Sequence, residues 1–212
     1  MARGRPREFD VDQALDRALQ VFWRKGYEGA SLSDLTDAMG INRPSLYAAF
    51  GSKEGLFRRA LDRYIEGPAG YLREALNEPT ARAVAERLLR SAAEGLTDPR
   101  NPRGCLAVQG ALACGEEADS VRRELIARRA AGETALRERF DRAIAEGDLP
   151  PEVDGADLAR YIVTVIHGMA VQAAGVTSRD DLLRVAEMAL RAWPEGRGKP
   201  RKRGADPRNR AD

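Results

Sequence analysis

A chain of 212 residues, 43% of them apolar, has room for one or two domains and for a core that needs neither disulfide nor metal to hold it. Its formal charge is only +2, from 35 Lys and Arg against 33 Asp and Glu, so a footprint for a polyanion has to be local. One histidine, two cysteines, and no Gly-x-Ser-x-Gly or phosphate-cradling glycine loop leave a nucleophilic, metal-dependent or cofactor-dependent enzyme almost nothing to build on.

Residues 1–7 hold Arg3-Gly4-Arg5-Pro6-Arg7, a basic arm similar to the Arg-Gly-Arg-Pro core of AT-hooks. Such an arm, with Arg5 at its centre, either lies in a minor groove or stays a solvated terminus. A first helix follows, because Val11, Ala14, Leu15, Ala18, Leu19 and Phe22 recur at helical spacing before Lys25-Gly26 stops the run. Residues 31–50 then spell two short helices around a glycine. Ser31 is placed to cap the first, Asp34 completes a capping box, and Gly40 ends it, with Leu32, Leu35 and Met39 as its apolar stripe. Asn42 caps the second, which tolerates Pro44 in its unbonded first turn and buries Leu46, Ala49 and Phe50. A helix, a turn of about three residues and a second helix form the helix-turn-helix signature, whose second helix enters the major groove with its N-terminal residues toward the bases. That places Arg43, Ser45 and Tyr47 for contact, with Arg43, Pro44, Ser45, Tyr47 and Ala48 facing outward.

The order of residues carries a further signal. Ala-Leu-x-x-Phe-x-x-x-Gly-Tyr-x-x-Ala-Ser at 18–31, Gly-Ile-Asn-Arg-Pro-Ser-Leu-Tyr-Ala-Ala-Phe at 40–50 and Ser-Lys-Glu-Gly-Leu-Phe at 52–57 resemble the TetR/AcrR family of transcriptional regulators. The resemblance implies a homodimer with an N-terminal DNA-binding domain and a larger helical domain that senses a small molecule. It aligns Arg43, Pro44, Ser45 and Tyr47 with DNA-touching positions, and Lys53 with a phosphate-contacting lysine at the start of a fourth helix. Arg5, Ser31 and Ala48 complete the expected DNA-facing set. The chain departs from the pattern at Ala48 and Ala49, where a large aromatic or histidine is frequent. Ala48 offers only a methyl-sized contact, suited to a thymine methyl, so anchoring is expected to lean on Lys53, Tyr47 and the arm.

Charge follows this division. Residues 40–63 carry five basic against two acidic side chains, whereas residues 64–194 carry seventeen against twenty-one. The basic surplus sits where phosphate would be neutralised.

The predicted domains are an arm at 1–7, a DNA-binding domain at 8–66, a helical domain at 67–194 and a disordered basic tail at 195–212. The fourth helix runs through Leu56, Phe57, Ala60, Leu61 and Tyr64 to Ile65, where Gly67-Pro68 breaks it and is a candidate hinge. A fifth helix is expected over about 81–96 and a short apolar one from Cys105 to Cys114. Nine residues apart on one helix, the two cysteines would lie about 180° apart and could neither pair nor share a metal. They suit a reducing cytosol as buried, inert thiols. No apolar run reaches a membrane span and the N-terminal residues are arginine-rich without the apolar core of an export signal, so a cytoplasmic protein is expected.

A long charged helix over about 118–146 keeps Val121, Leu125, Leu136, Phe140 and Ile144 on a narrow stripe and should be wet elsewhere. The next helix is apolar almost all round, and the last carries Leu182, Leu183, Val185, Met188 and Trp193. More apolar surface than one chain covers implies a homodimer through helices at about 155–175 and 179–193, a four-helix interface on a two-fold axis. Residues expected to line an effector pocket are Tyr71, Leu88, Ala92, Cys105, Leu106, Gln109, Phe140, Tyr161, Val165 and His167. The reading is an all-α protein, a dimeric repressor on a palindromic operator of double-stranded DNA, released by a small apolar or amphipathic effector.

Overall fold

Each of the short helices that opens the chain starts on a side chain that closes its first turn. A computed structural model describes residues 9–110 and 115–194; Arg5 with the rest of the basic arm, Cys114 and the tail from 195 onward lie outside the described residues. Among the described residues every regular element is helical. Helix α1 (Val11–Gly29) is capped by Asp10, α2 (Leu32–Met39) by Ser31, α3 (Arg43–Phe50) by Asn42 and α4 (Lys53–Glu66) by Ser52. The expected capping box is present, with the Asp34 amide donating to Ser31 Oγ and the Ser31 amide to the Asp34 carboxylate, both at 3.0 Å. Gly40 closes α2 in the left-handed region at φ 70°, which a side chain would strain.

The chain then folds through α5 (Tyr71–Ala75), α6 (Ala81–Leu96), α7 (Leu106–Gln109), a 3-10 turn (Glu116–Ala118), α8 (Asp119–Ala145), α9 (Gly155–Ala174) and α10 (Arg179–Arg191). Thr80, Asp154 and Ser178 cap α6, α9 and α10, whereas α5, α7 and α8 begin without a side-chain cap. One continuous apolar core extends from Ala14 to Trp193 and joins the two halves. At its centre Phe22 of α1 meets Phe57 of α4 edge to face at 5.0 Å, and Trp23 meets Tyr64 in the same way at 4.7 Å.

The folded chain sharpens several of the sequence expectations. The helical run of α1 breaks at Gly26 as expected, at φ 68° and ψ −179°, and one further turn beyond the break reaches Gly29. Of the helix expected from Cys105 to Cys114, the described residues hold Leu106–Gln109 with Gly110 as its C-cap, whose carbonyl accepts from the Tyr27 amide at 2.9 Å; residues 111–114 lie outside the described residues. The wet faces expected on α8 include one buried exception, Arg139, which is 5% exposed and donates to the carbonyls of Glu78 and Pro79. Helix α9, apolar almost all round, leaves Tyr161 40% and Val171 52% exposed, in keeping with the expectation of more apolar surface than one chain covers. No described helix is long and apolar enough to cross a membrane.

Candidate nucleic-acid interface and the cavity behind it

Helices α2 and α3 are held by their buried faces. Leu35, Met39, Leu46 and Phe50 pack inward, and Thr36 returns its hydroxyl to the Leu32 carbonyl at 2.9 Å. The opposite side of α3 is open: Arg43, Pro44 and Ala48 are exposed, Tyr47 is 45% exposed and Ser45 is half-buried. Arg43 Nη2 donates to Ser33 Oγ at 3.2 Å, which lays the guanidinium along α2. Ser31 is exposed at the α2 cap. The α3 N-terminus therefore offers a cation, a hydroxyl and a phenol on one surface. Lys25 Nζ meets Asp34 at 2.7 Å and ties the end of α1 to the cap of α2. That lysine and the Ser31 hydrogen bonds hold the Asp34 carboxyl down to about 2.

Lys53 sits at the first position of α4, half-buried, with its ammonium 4.5 Å above the Tyr27 ring. Tyr27 in turn stacks edge-on to Phe57 at 5.3 Å. Its backbone amide is the one that donates to Gly110, so the ring beneath Lys53 is anchored to the chain segment around α7. Trp23 Nε1 donates to the Gly104 carbonyl at 3.1 Å, and the Gly115 amide to Glu28 at 2.8 Å. Residues 104–110 thus form a strap held against α1. A Cβ on Gly26 would come within 3.3 Å of the Gly110 carbonyl, so both the left-handed φ and the close approach call for glycine there.

The other side of the strap borders a cavity of about 150 Å³. Four of the residues expected in an effector pocket, Tyr71, Leu88, Cys105 and His167, line it. Six others do not. Ala92 and Leu106 are fully buried in the packed core, and Phe140 is sealed under Trp193 at a ring separation of 5.7 Å. Gln109 faces a separate crevice beside Trp23 and Arg103, Tyr161 is exposed on the outer side of α9, and Val165 is half-buried off the cavity wall. Helical spacing marks which residues are apolar, and here core packing claimed three of them.

The cavity's polar groups are mostly protonated or paired. Burial pushes the Cys105 thiol up, outweighing the Tyr64 hydroxyl that donates to its sulfur at 3.2 Å and favours the thiolate, so at neutral pH it is a thiol rather than a nucleophilic thiolate. Burial also raises the Tyr71 hydroxyl, and it lowers His167 toward the neutral imidazole, with Arg129 adding to the effect and Glu133 opposing it.

The family model for "Bacterial regulatory proteins, tetR family" matches residues 14–60, and that for "Tetracyclin repressor-like, C-terminal domain" matches residues 82–190. The chain belongs to the TetR family. It is 36% identical to the HTH-type transcriptional repressor ComR of Escherichia coli K12, covering 92% of this chain and 93% of that one. Among solved structures, the TetR family transcriptional regulator CifR, a cysteine mutant complexed with 26-base-pair double-strand operator DNA, is similar at 50% identity and a TM-score of 0.86. That match covers 90% of this chain and all of CifR's. A TetR regulator from Rhodococcus is 41% identical with a TM-score of 0.60, covering 88% of this chain and all of its own. The protein is accordingly a DNA-binding transcriptional regulator rather than an enzyme.

The charged residues of the cavity wall that sequence reasoning missed lie on α8. Arg128, Arg129 and Glu133 border the cavity from a helix whose charges read as a solvated face. The available hint was Gly132 in their midst, where a Cβ would come within 3.2 Å of Leu72 on α5. A small residue inside a charged helix marks a close neighbour.

Proposed function

We propose that this chain is a homodimeric cytoplasmic repressor that reads a palindromic operator with α3 and lets go when a small molecule enters the cavity behind the strap. The observation that carries this reading is the exposed α3 N-terminus, with Arg43, Pro44, Tyr47 and Ala48 outward on a helix fixed by its Asn42 cap. In the proposal Arg43, Ser45 and Tyr47 meet base edges, Ser31 and Lys53 meet phosphate, and Ala48 lies against a base methyl. Arg5 and the arm would add sequence-independent affinity. The resemblance to ComR, described as a repressor, and to CifR in complex with operator DNA supports this assignment of sign and partner.

The dimer is supported by the apolar residues that one chain leaves bare. Tyr161 and Val171 on α9, with Val185 and Met188 on α10, are each at least 40% exposed. Pairing α9 and α10 with a second copy across a two-fold axis would cover them. A two-fold protein then calls for half-sites one helical turn apart, about 34 Å, or a multiple of it.

Effector release is supported by the strap. Asp62 of α4 is paired with Arg128 on the cavity wall at 2.6 Å, and residues 104–110 join that wall to α1. A ligand that favours one arrangement of these groups would shift the spacing of the two recognition helices by its difference in affinity between the two forms.

The test is selection from randomised duplexes with the full chain, followed by gel-shift competition and sedimentation. A palindrome preferred by roughly a thousandfold over random DNA, bound by a dimer that Met188→Arg splits, is the expected result. Similar affinity for every duplex would instead describe a DNA-coating protein and overturn the reading.

A further inference from the structure

The cavity behind the strap has a charge pattern of its own. Arg128 is paired twice, with Asp62 at 2.6 Å and Glu124 at 2.8 Å. Glu133 is held by Arg160 at 3.0 Å. Arg129 differs: among the described residues no carboxylate lies within ion-pair distance of it, and the hydrogen bond its guanidinium makes runs from Nη1 to the Ala107 carbonyl at 2.6 Å. A guanidinium has five N–H donors in a planar fork that fits a carboxylate through two parallel hydrogen bonds. Four of those donors remain for a ligand.

The surroundings select what that ligand is. The remaining wall is mainly aliphatic, with Leu72, Leu88, Val163 and Ile166. The volume, about 150 Å³, matches that of a core cavity able to take a benzene-sized molecule. Burial keeps the neighbouring Tyr71 hydroxyl and Cys105 thiol protonated, so neither opposes an incoming anion.

We propose that this cavity takes a small monocarboxylic acid with a compact apolar body, bound as its anion with the carboxylate on Arg129 and the body against Leu72, Leu88 and Ile166. This rests on the reading of the chain as an effector-released repressor and names the chemical class of the effector. It also supplies a mechanism of release. A carboxylate seated on the free donors of Arg129 draws the guanidinium away from the Ala107 carbonyl that its Nη1 now holds, and Ala107 belongs to the strap that holds Trp23 and Tyr27. Binding therefore loosens the strap at the point where the cavity grips it, and the disturbance reaches the ring beneath Lys53.

The experiment is calorimetric titration of the full chain with benzoate and cyclohexanecarboxylate against their uncharged amides, benzamide and cyclohexanecarboxamide. The acids should bind at least about tenfold more tightly than the amides, the difference expected for a charge-assisted hydrogen-bonded pair. Arg129→Met should abolish that preference, and Arg129→Lys, which keeps the charge and is the milder change for folding, should retain part of it. Equal affinity for acid and amide in the unaltered protein, an acid preference that survives Arg129→Met, or no binding by either acid would overturn the proposal. Operator gel shifts separate this from failure of the broader reading. A neutral apolar compound that binds and releases DNA would sink the carboxylate assignment alone, whereas compounds that fill the cavity and leave operator affinity unchanged would sink effector release itself.

Discussion

The four helices of the DNA-binding head each begin on a side chain that closes the first turn, while three of the elements around the cavity, α5, α7 and α8, begin without one. Helix α5 has five residues and α7 four, too short to persist without tertiary contacts. A surface that reads base edges has to hold its shape, and a site that responds to a ligand has to have a second arrangement within reach. Capping and helix length distribute local stability in that sense, with the less stable elements grouped beside the cavity. The seam between the two regions is the aromatic cluster of Phe22, Trp23, Tyr27, Phe57 and Tyr64, together with the strap hydrogen bonds at Gly104 and Gly110.

The largest expected effect comes from the seam itself. Phe57 is fully buried between α1 and α4, so Phe57→Ala should cost about 3–5 kcal/mol in denaturant unfolding. Because the core is continuous across the seam, head and rear should still lose structure together. Two separated transitions would show that the regions are less coupled than their packing implies.

Gly26→Ala acts on the joint. The new methyl enters a left-handed conformation and meets the Gly110 carbonyl, for an expected cost of about 1–3 kcal/mol. Operator affinity should fall while ligand binding in the cavity is preserved, as read by gel shift and calorimetry on the same preparation. Equal loss of both would place the strap's role in general stability instead of coupling.

Lys53→Ala tests the head alone. If its ammonium neutralises one phosphate, the slope of log affinity against log salt should drop by about one unit, and affinity for all sequences should weaken alike. An unchanged slope would confine Lys53 to its place over the Tyr27 ring.

The smallest effect is an acid one. The Asp34 carboxyl is held down to about 2 from 3.8 by Lys25 and Ser31, so its contribution to stability is complete above about pH 4 and is lost as pH falls toward 2. The stability difference between the unaltered protein and Asp34→Asn should therefore shrink across that window. A difference that stays constant down to pH 2 would show that Asp34 acts through its hydrogen bonds without its charge.

How much of this could be read from the residues also divides at the seam. The head was legible because its signals are local. Ser31 with Asp34, Gly40 and Asn42 each fix a boundary through contacts within three or four residues, and the structure has all of them. The cavity was not, because its walls depend on which apolar residues meet across long sequence separations. Phe140 and Ala92 have the same apolar character as Leu88, yet only Leu88 reaches the cavity. Arg129 looked like one charge among many on α8; its distinction, a guanidinium without an acid, exists only once Glu124, Asp62 and Arg160 have taken their partners.

The central claim is that α3 reads bases through its exposed N-terminal residues, and the most direct measurement is the base-preference profile of Arg43→Ala on a randomised operator. The account predicts that preference relaxes at one position in each half-site, with a loss of about 1–3 kcal/mol on the selected sequence. A profile identical to that of the unaltered protein would contradict it.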